Sequence, residues 1–176
     1  GQMRALPVRA FREAIVNGMV HRDWLSIQPT TVEHVGDAVT ITSPGGFIGG
    51  VDPSNIITHP AVARYRSLAE AVASLRLAER EGIGVDRMVR DMLANGRPEP
   101  EISEVNGPYV RVALLGGEPD RALLSLLADV DPATVRADVD ALLLIEHLCR
   151  NGWVDATRAA PVLQRYPAPA TFALKV

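Results

Sequence analysis

Arg12-Glu13-Ala14-Ile15-Val16-Asn17-Gly18-Met19-Val20-His21-Arg22-Asp23-Trp24 is the stretch on which the fold turns. It sets a carboxylate and a carboxamide four residues apart, so on a helix Glu13 and Asn17 project from one face. A carboxylate can orient or deprotonate a water, and an amide oxygen can coordinate Mg²⁺. Together they are the minimum chemistry of one nucleotide-hydrolysing design. Residues 7–22 are predicted to be that helix, with Pro7 suited to a first helical position. Val8, Phe11, Ile15 and Met19 line one side of it, which leaves Glu13 and Asn17 on the opposite side.

Working outward, residues 31–35 and 38–42 alternate as strands around the tight turn Gly36-Asp37, a β-hairpin. The loop that follows, Ser43-Pro44-Gly45-Gly46-Phe47-Ile48-Gly49-Gly50, is too glycine-rich for regular structure and can bring backbone close to a ligand. It lacks the Gly-x-Gly-x-x-Gly spacing, and no regular helix follows it directly, which argues against a dinucleotide fold. Asp52-Pro53 starts a short helical turn through Ile57, and a longer helix is predicted over residues 68–78. Glu81-Gly82-Ile83-Gly84 breaks the pattern and leads straight into a helix over 85–93, ended by Asn95-Gly96. A glycine-led helix start has free N–H groups and a favourable dipole, a good seat for a phosphate. Strands over 101–105 and 109–115, joined through Asn106-Gly107-Pro108, complete this part.

Gly116-Gly117 marks the best domain boundary, dividing the chain into residues 1–117 and 118–176. Beyond it the pattern is helical: one helix over 120–128, a longer one capped by Asp131 and running through Arg150, and a third from Asp155 through Gln164.

Composition removes several function classes. The chain has 176 residues, 47% of them hydrophobic, enough for a packed core. No apolar run approaches the ~20 residues of a membrane span and no signal peptide is visible, so a cytoplasmic protein is expected. The single cysteine, Cys149, excludes an internal disulfide and a cysteine-cluster zinc site. The net charge of −3 gives neither half the positive excess typical of nucleic-acid binders. Lys175 is the only lysine, so neither a Walker A Gly-Lys pair nor a protein-kinase strand lysine is available. His21-Arg22-Asp23 has the order of a kinase catalytic loop, but the position five residues past the aspartate is Gln28 rather than Asn. His21, His34, His59 and His147 show no metal-ligand spacing.

Taken in order, these blocks resemble a known family. Residues 12–24 are similar to the signature that opens the ATPase-like domain of bacterial transcriptional regulators often labelled RecG-like helicase C-terminal. That family is related to the GHKL ATPases (gyrase, histidine kinases, MutL) with the Bergerat fold. Thr40-Ile41-Thr42-Ser43-Pro44-Gly45-Gly46-Phe47 resembles its strand and Asn-Pro-Gly-Gly loop. Leu68-Ala69-Glu70-Ala71, and Leu77-Ala78-Glu79-Arg80 through Met88, resemble its helix and Gly-x-Gly box. The resemblance covers residues 7–116. It implies an α+β protein: a two-layer sandwich in which helices cover a mixed sheet, followed by a small winged-helix-like segment. It further implies Glu13 as the water-activating base, Asn17 as the Mg²⁺ ligand, Gly45 and Gly46 at the adenine and ribose side, and Gly82 and Gly84 at the phosphates. His21 joins these as a nucleotide-contacting candidate, and ATP or ADP with Mg²⁺ is the implied cofactor.

Two departures stand out. The aspartate with which GHKL ATPases read adenine is replaced by the region Ser43-Pro44-Gly45, and the family's Arg-Asn-Pro stands here as Arg64-Tyr65-Arg66. Residues 119–176 resemble the start of a helix-turn-helix, which implies DNA as a partner of a longer protein. Met3 behind Gly-Gln reads as a piece cut from such a regulator. Three functions follow from this: a nucleotide-sensing domain with weak or no turnover in a homodimeric regulator, a degenerate fold kept for dimerisation or scaffolding, and an active Mg²⁺-dependent ATPase. A helicase motor is excluded by the missing Walker A lysine.

Overall fold

The computed structural model describes residues 6–77 and 83–165. Helix α1 (Val8–Val20) leads into the hairpin β1 (Thr31–Val35) and β2 (Ala38–Pro44). Helices α2 (Arg66–Ser74) and α3 (Gly84–Ala94) follow, then a second hairpin, β3 (Glu101–Val105) and β4 (Tyr109–Leu115). Helices α4 (Arg121–Asp129), α5 (Val139–Asn151) and α6 (Ala156–Val162) complete the described chain.

The four strands form one sheet in the order β1-β2-β4-β3. All three pairings are antiparallel, where the sequence reading expected a mixed sheet. The reason is local. Both hairpins have turns too short for anything but antiparallel pairing, and the crossover through α2 and α3 carries β3 past β2 to the far side of β4. Alternation then aims Val39, Ile41, Val112 and Leu114 at the helices, in the register Val39↔Leu114 and Ile41↔Val112.

Helix α1 buries the face opposite to the one its hydrophobic pattern selects. Ala10, Glu13, Ala14 and Gly18 are buried, whereas Val8 is 80% exposed and Met19 44%. Phe11 and Ile15 pack only partly against the core. Small residues at every fourth position, Ala10, Ala14 and Gly18, let the helix backbone lie close on the sheet. A Cβ at Gly18 would stand 2.9 Å from Ile41 Cγ2. Close approach, rather than side-chain hydrophobicity, has chosen the buried face.

Helix α3 is a wedge between two cores. Met88 and Met92 join the core between helices and sheet, while Val89 and Leu93 join Leu123, Leu127, Leu142 and Leu163 in a second, helical core. The two stripes are offset by one position at helical spacing, so each faces its own core.

Several boundaries differ from the sequence reading. Helix α2 stops at Ser74, short of 78, because Arg76 turns left-handed at φ 57° and Arg12 Nη2 donates to the carbonyls of Arg76 and Leu77. Residues 52–57 form turns instead of a helix, with Asp52 accepting the Ser54 N–H. Helix α5 begins at Val139, preceded by a 3₁₀ turn (Val135–Ala137), because Asp138 rather than Asp131 takes the cap by accepting the Ala141 N–H. Helix α6 ends at Val162, before the left-handed Gln164 at φ 51°. Asp155 caps α6 as expected, while Asp120, read as the first residue of its helix, instead caps α4 by accepting the Ala122 and Leu123 N–H groups. No helix among the described residues is long and apolar enough to cross a membrane.

Candidate functional site

Between the helix layer and the sheet lies a cleft of about 1010 Å³. Its apolar floor is the helix-facing side of the sheet, with Ile41, Val110 and Val112. Its rim is polar or backbone: Glu13, Asn17 and His21 from α1, Gly45 and Gly46 from the loop after β2, and Gly84 at the start of α3. Residues 56–63, a strap without helix or strand, form a further wall. An apolar cavity with a few convergent polar groups is the usual form of a small-molecule site.

Six of the residues singled out in the sequence therefore share this rim, and the closest group is Glu13, Asn17 and Gly84. A Cβ on Gly84 would lie 3.0 Å from Glu13 Oε2 and 3.3 Å from Asn17 Nδ2. Glycine there keeps a cradle open between the two side chains and the first turn of α3. Among the described residues, that helix start has no side-chain cap, so its leading N–H groups are not claimed by a capping side chain. The Asn17 carboxamide makes no side-chain hydrogen bond among the described residues, whereas Glu13 is only 4% exposed and pairs with Arg87 Nη1 at 3.8 Å. Arg87 was not foreseen. It lies one turn into α3, and no spacing in the sequence announces that it reaches back to α1. Gly82, expected beside Gly84, lies outside the described residues.

The other glycines line the cleft but are explained by protein neighbours. Gly45 has φ +96°, and a Cβ on it would stand 2.9 Å from both Cβ and the backbone nitrogen of Asp23. A Cβ on Gly46 would meet the Glu104 carboxylate at 2.8 Å. Polar ties hold the loop: Phe47 N–H donates to Glu104 Oε2 at 2.9 Å, Arg64 Nη2 donates to the Gly46 carbonyl at 2.7 Å, and Asp23 N–H donates to the Pro44 carbonyl at 2.7 Å. Asp23 also accepts the Leu25 N–H and, at 2.9 Å, the Tyr65 hydroxyl; these bonds, with Arg64 and Arg22 nearby, hold its carboxyl below the usual range. Arg64 and Tyr65, noted in the sequence only as a departure, thus brace the loop after β2.

His21 is exposed as a residue, yet protein atoms crowd its imidazole. That crowding lowers the imidazole pKa, reinforced by Arg64 and opposed by a backbone hydrogen bond with Val62. Ser43 is a buried polar residue on the cleft wall. Among the described residues no group of three His, Cys, Asp or Glu is placed to hold a metal ion. Mg²⁺ in such a cleft would need oxygen ligands from a bound polyphosphate beside the Asn17 amide oxygen, the usual arrangement for this ion.

With the geometry in view, comparison with known proteins adds the following. Residues 28–114 match the family described as "Putative ATP-dependent DNA helicase recG C-terminal". This RecG-like, ATPase-like segment takes in the glycine loop, the strap, the start of α3 and all four strands. It begins after α1, so Glu13 and Asn17 fall outside it. The crystal structure of the DIP2311 protein from Corynebacterium diphtheriae superimposes with a TM-score of 0.88 at 33% identity, covering 97% of this chain and 36% of that one. The chain thus spans about a third of that protein's length. No curated protein matches it.

Proposed function

We propose that the cleft binds ATP or ADP and that the domain senses the nucleotide, with weak or no hydrolysis, as part of a bacterial DNA-binding regulator. The observation that carries this reading is the cradle at Gly84. There a helix start and a carboxamide, both without a side-chain hydrogen-bond partner among the described residues, converge with a buried carboxylate at one end of a cleft with an apolar floor. Backbone N–H groups at a helix start favour phosphate oxygens, and the floor suits the face of a purine. A bound Mg²⁺–polyphosphate would supply charge neutralisation and, for turnover, polarisation of the terminal phosphoryl group. Asn17 would offer its amide oxygen to the Mg²⁺, Gly84 lets backbone approach, and Ser43 and His21 lie on the walls that a base would meet.

Weak turnover follows from Glu13. Burial and the Arg87 guanidinium compete with any attacking water for its oxygens, so it serves as a tether between α1 and α3 before it serves as a base. Membership of a regulator rests on the order of the sequence blocks and on the greater length of the similar protein. Within that regulator, α4–α6 would lead toward the DNA-contacting part, and pairing of two copies would form the homodimer.

Calorimetric titration of the folded chain with Mg²⁺–ADP and Mg²⁺–ATP tests the proposal. Binding with a Kd below about 1 mM is expected, weakened roughly tenfold in Asn17→Ala, the loss of about one charge-assisted contact. Absence of heat at millimolar nucleotide would overturn it. A scaffold role would then stand, for which the self-filled surroundings of Gly45 and Gly46 already speak.

A further inference from the structure

The strap that walls the cleft is tied to the C-terminal helices at Gln164. Ile56 lines the cleft, while Ile57, next in the chain, packs against the helical core of α3–α6. The Ile57 N–H donates to Gln164 Oε1 at 2.8 Å. Gln164 Nε2 donates to the Pro53 carbonyl at 3.0 Å, and Thr58 Oγ1 donates to the Gln164 carbonyl at 2.9 Å. Both ends of one carboxamide and its own backbone carbonyl are thus engaged by a segment more than a hundred residues away in the chain.

Gln164 is itself rigidly held. It adopts φ 51°, a left-handed conformation that a residue with a Cβ keeps only where its surroundings over-determine it. Leu163 before it is fully buried in the helical core, and Arg165 after it pairs with Asp140 of α5 at 2.8 Å. The strap itself has no helix or strand. Its other side-chain ties are local, among Gly50, Asp52, Asn55 and Pro60, apart from the bond between the Val62 backbone and His21 at the end of α1. Its placement against the cleft is therefore set from α1 at one end and from the C-terminal helices at the other.

We propose that Gln164 is a positioning residue for the cleft, a clasp that links occupancy of the cleft to the packing of α5 and α6. A ligand touching Ile56 and residues 59–63 favours one placement of the strap, and that placement is the one that Gln164 completes. Linkage makes the effect reciprocal: loosening α6 weakens the ligand, and the ligand tightens α6. Helix α3 adds a second path, since Val85 lines the cleft and also packs against the helical core. The identity of the ligand rests on the nucleotide reading given above; the clasp does not.

The test uses the whole chain with Gln164→Gly, which keeps the left-handed backbone and deletes the carboxamide, and Gln164→Glu, which keeps the acceptor for Ile57 and loses the donor to Pro53. Amide hydrogen exchange without ligand is read first. The Ile57 amide and the amides of α6 are expected to exchange about tenfold faster in Gln164→Gly, with Gln164→Glu between it and wild type. Calorimetry with Mg²⁺–ADP is read second, with affinity expected to fall about fivefold or more in Gln164→Gly and α6 exchange expected to slow in wild type on binding. Unchanged exchange at Ile57 or α6 in Gln164→Gly overturns the clasp. So does wild-type affinity for Mg²⁺–ADP in that variant. Should wild type itself bind no Mg²⁺–ADP, the nucleotide reading falls, and the ligand-free exchange alone decides for or against the clasp.

Discussion

His21 stands one helical turn beyond Asn17, and its titration reports on the site without any ligand. Crowding lowers its pKa below the ordinary value of about 6.5. The folded state therefore binds fewer protons at this group than the unfolded state does, so its contribution to stability is intact above pH ~6.5 and is lost as pH falls below it. Burial raises the carboxyls of Asp86 and Asp140, which act in the opposite sense at lower pH, so the measurement must be a difference. Melting temperatures of wild type and His21→Gln between pH 5 and 8 are expected to converge as pH falls, the advantage of wild type being confined to the neutral end. Parallel curves would show that the ring is not desolvated. At this scale Glu13, Asn17, His21 and Gly84 were legible, because a four-residue repeat and a glycine before a helix carry their geometry in the sequence. Arg87, Asp23, Tyr65 and Glu104 were not. Each acts across the fold, through partners 20 to 80 residues away that no local pattern couples.

Helix α1 shows how an element can be placed correctly and oriented wrongly. Its existence follows from the run of helix formers after Pro7, and its apolar stripe at Val8, Phe11, Ile15 and Met19 has helical spacing. Yet the sheet lies on the Ala10, Ala14 and Gly18 face, where closeness of backbone replaces the bulk of side chains. Gly18→Ala tests this directly. Alanine would gain about 0.5–1 kcal/mol in helix propensity. Its Cβ, however, would fall 2.9 Å from the branched Cγ2 of Ile41, a residue only 1% exposed that has no free end to swing away. Overpacking of a tight core costs about 1–3 kcal/mol, so the strain wins and Gly18→Ala is expected to melt several degrees lower. An equal or higher melting temperature would mean that α1 can shift on the sheet. The hairpins were legible because Gly36-Asp37 and Asn106-Gly107-Pro108 punctuate them, although β2 runs two residues further than expected, to Pro44, where it pairs with Tyr109. Parallel pairing was expected only from the resemblance, and the short turns leave no connection long enough to produce it.

For the molecule as a whole, the question is whether the boundary at Gly116-Gly117 separates two folding units. Hydrogen bonds cross it: Asp120 N–H donates to the Gly96 carbonyl at 2.8 Å, and Gln164 bonds with Pro53, Ile57 and Thr58. Helix α3 belongs to both sides, since Val89 and Leu93 lie in the helical core with Ala159, Ala160 and Leu163. Cutting the chain after residue 117 would expose those two side chains, along with Val85 and Ile57, which pack on the same core. Full burial of a Val or Leu is worth about 1.5–3 kcal/mol, so Val89 and Leu93 alone put roughly 3–6 kcal/mol at stake. That is comparable to the net stability of a whole domain, about 5–15 kcal/mol. A chain of residues 1–117 is therefore expected to lose its cooperative thermal transition or to melt far below the whole chain, and to bind a dye for exposed apolar surface. Circular dichroism melts of the two chains decide it. A cooperative transition in the shorter chain within a few degrees of the longer one would make α4–α6 an accessory of a self-sufficient sandwich.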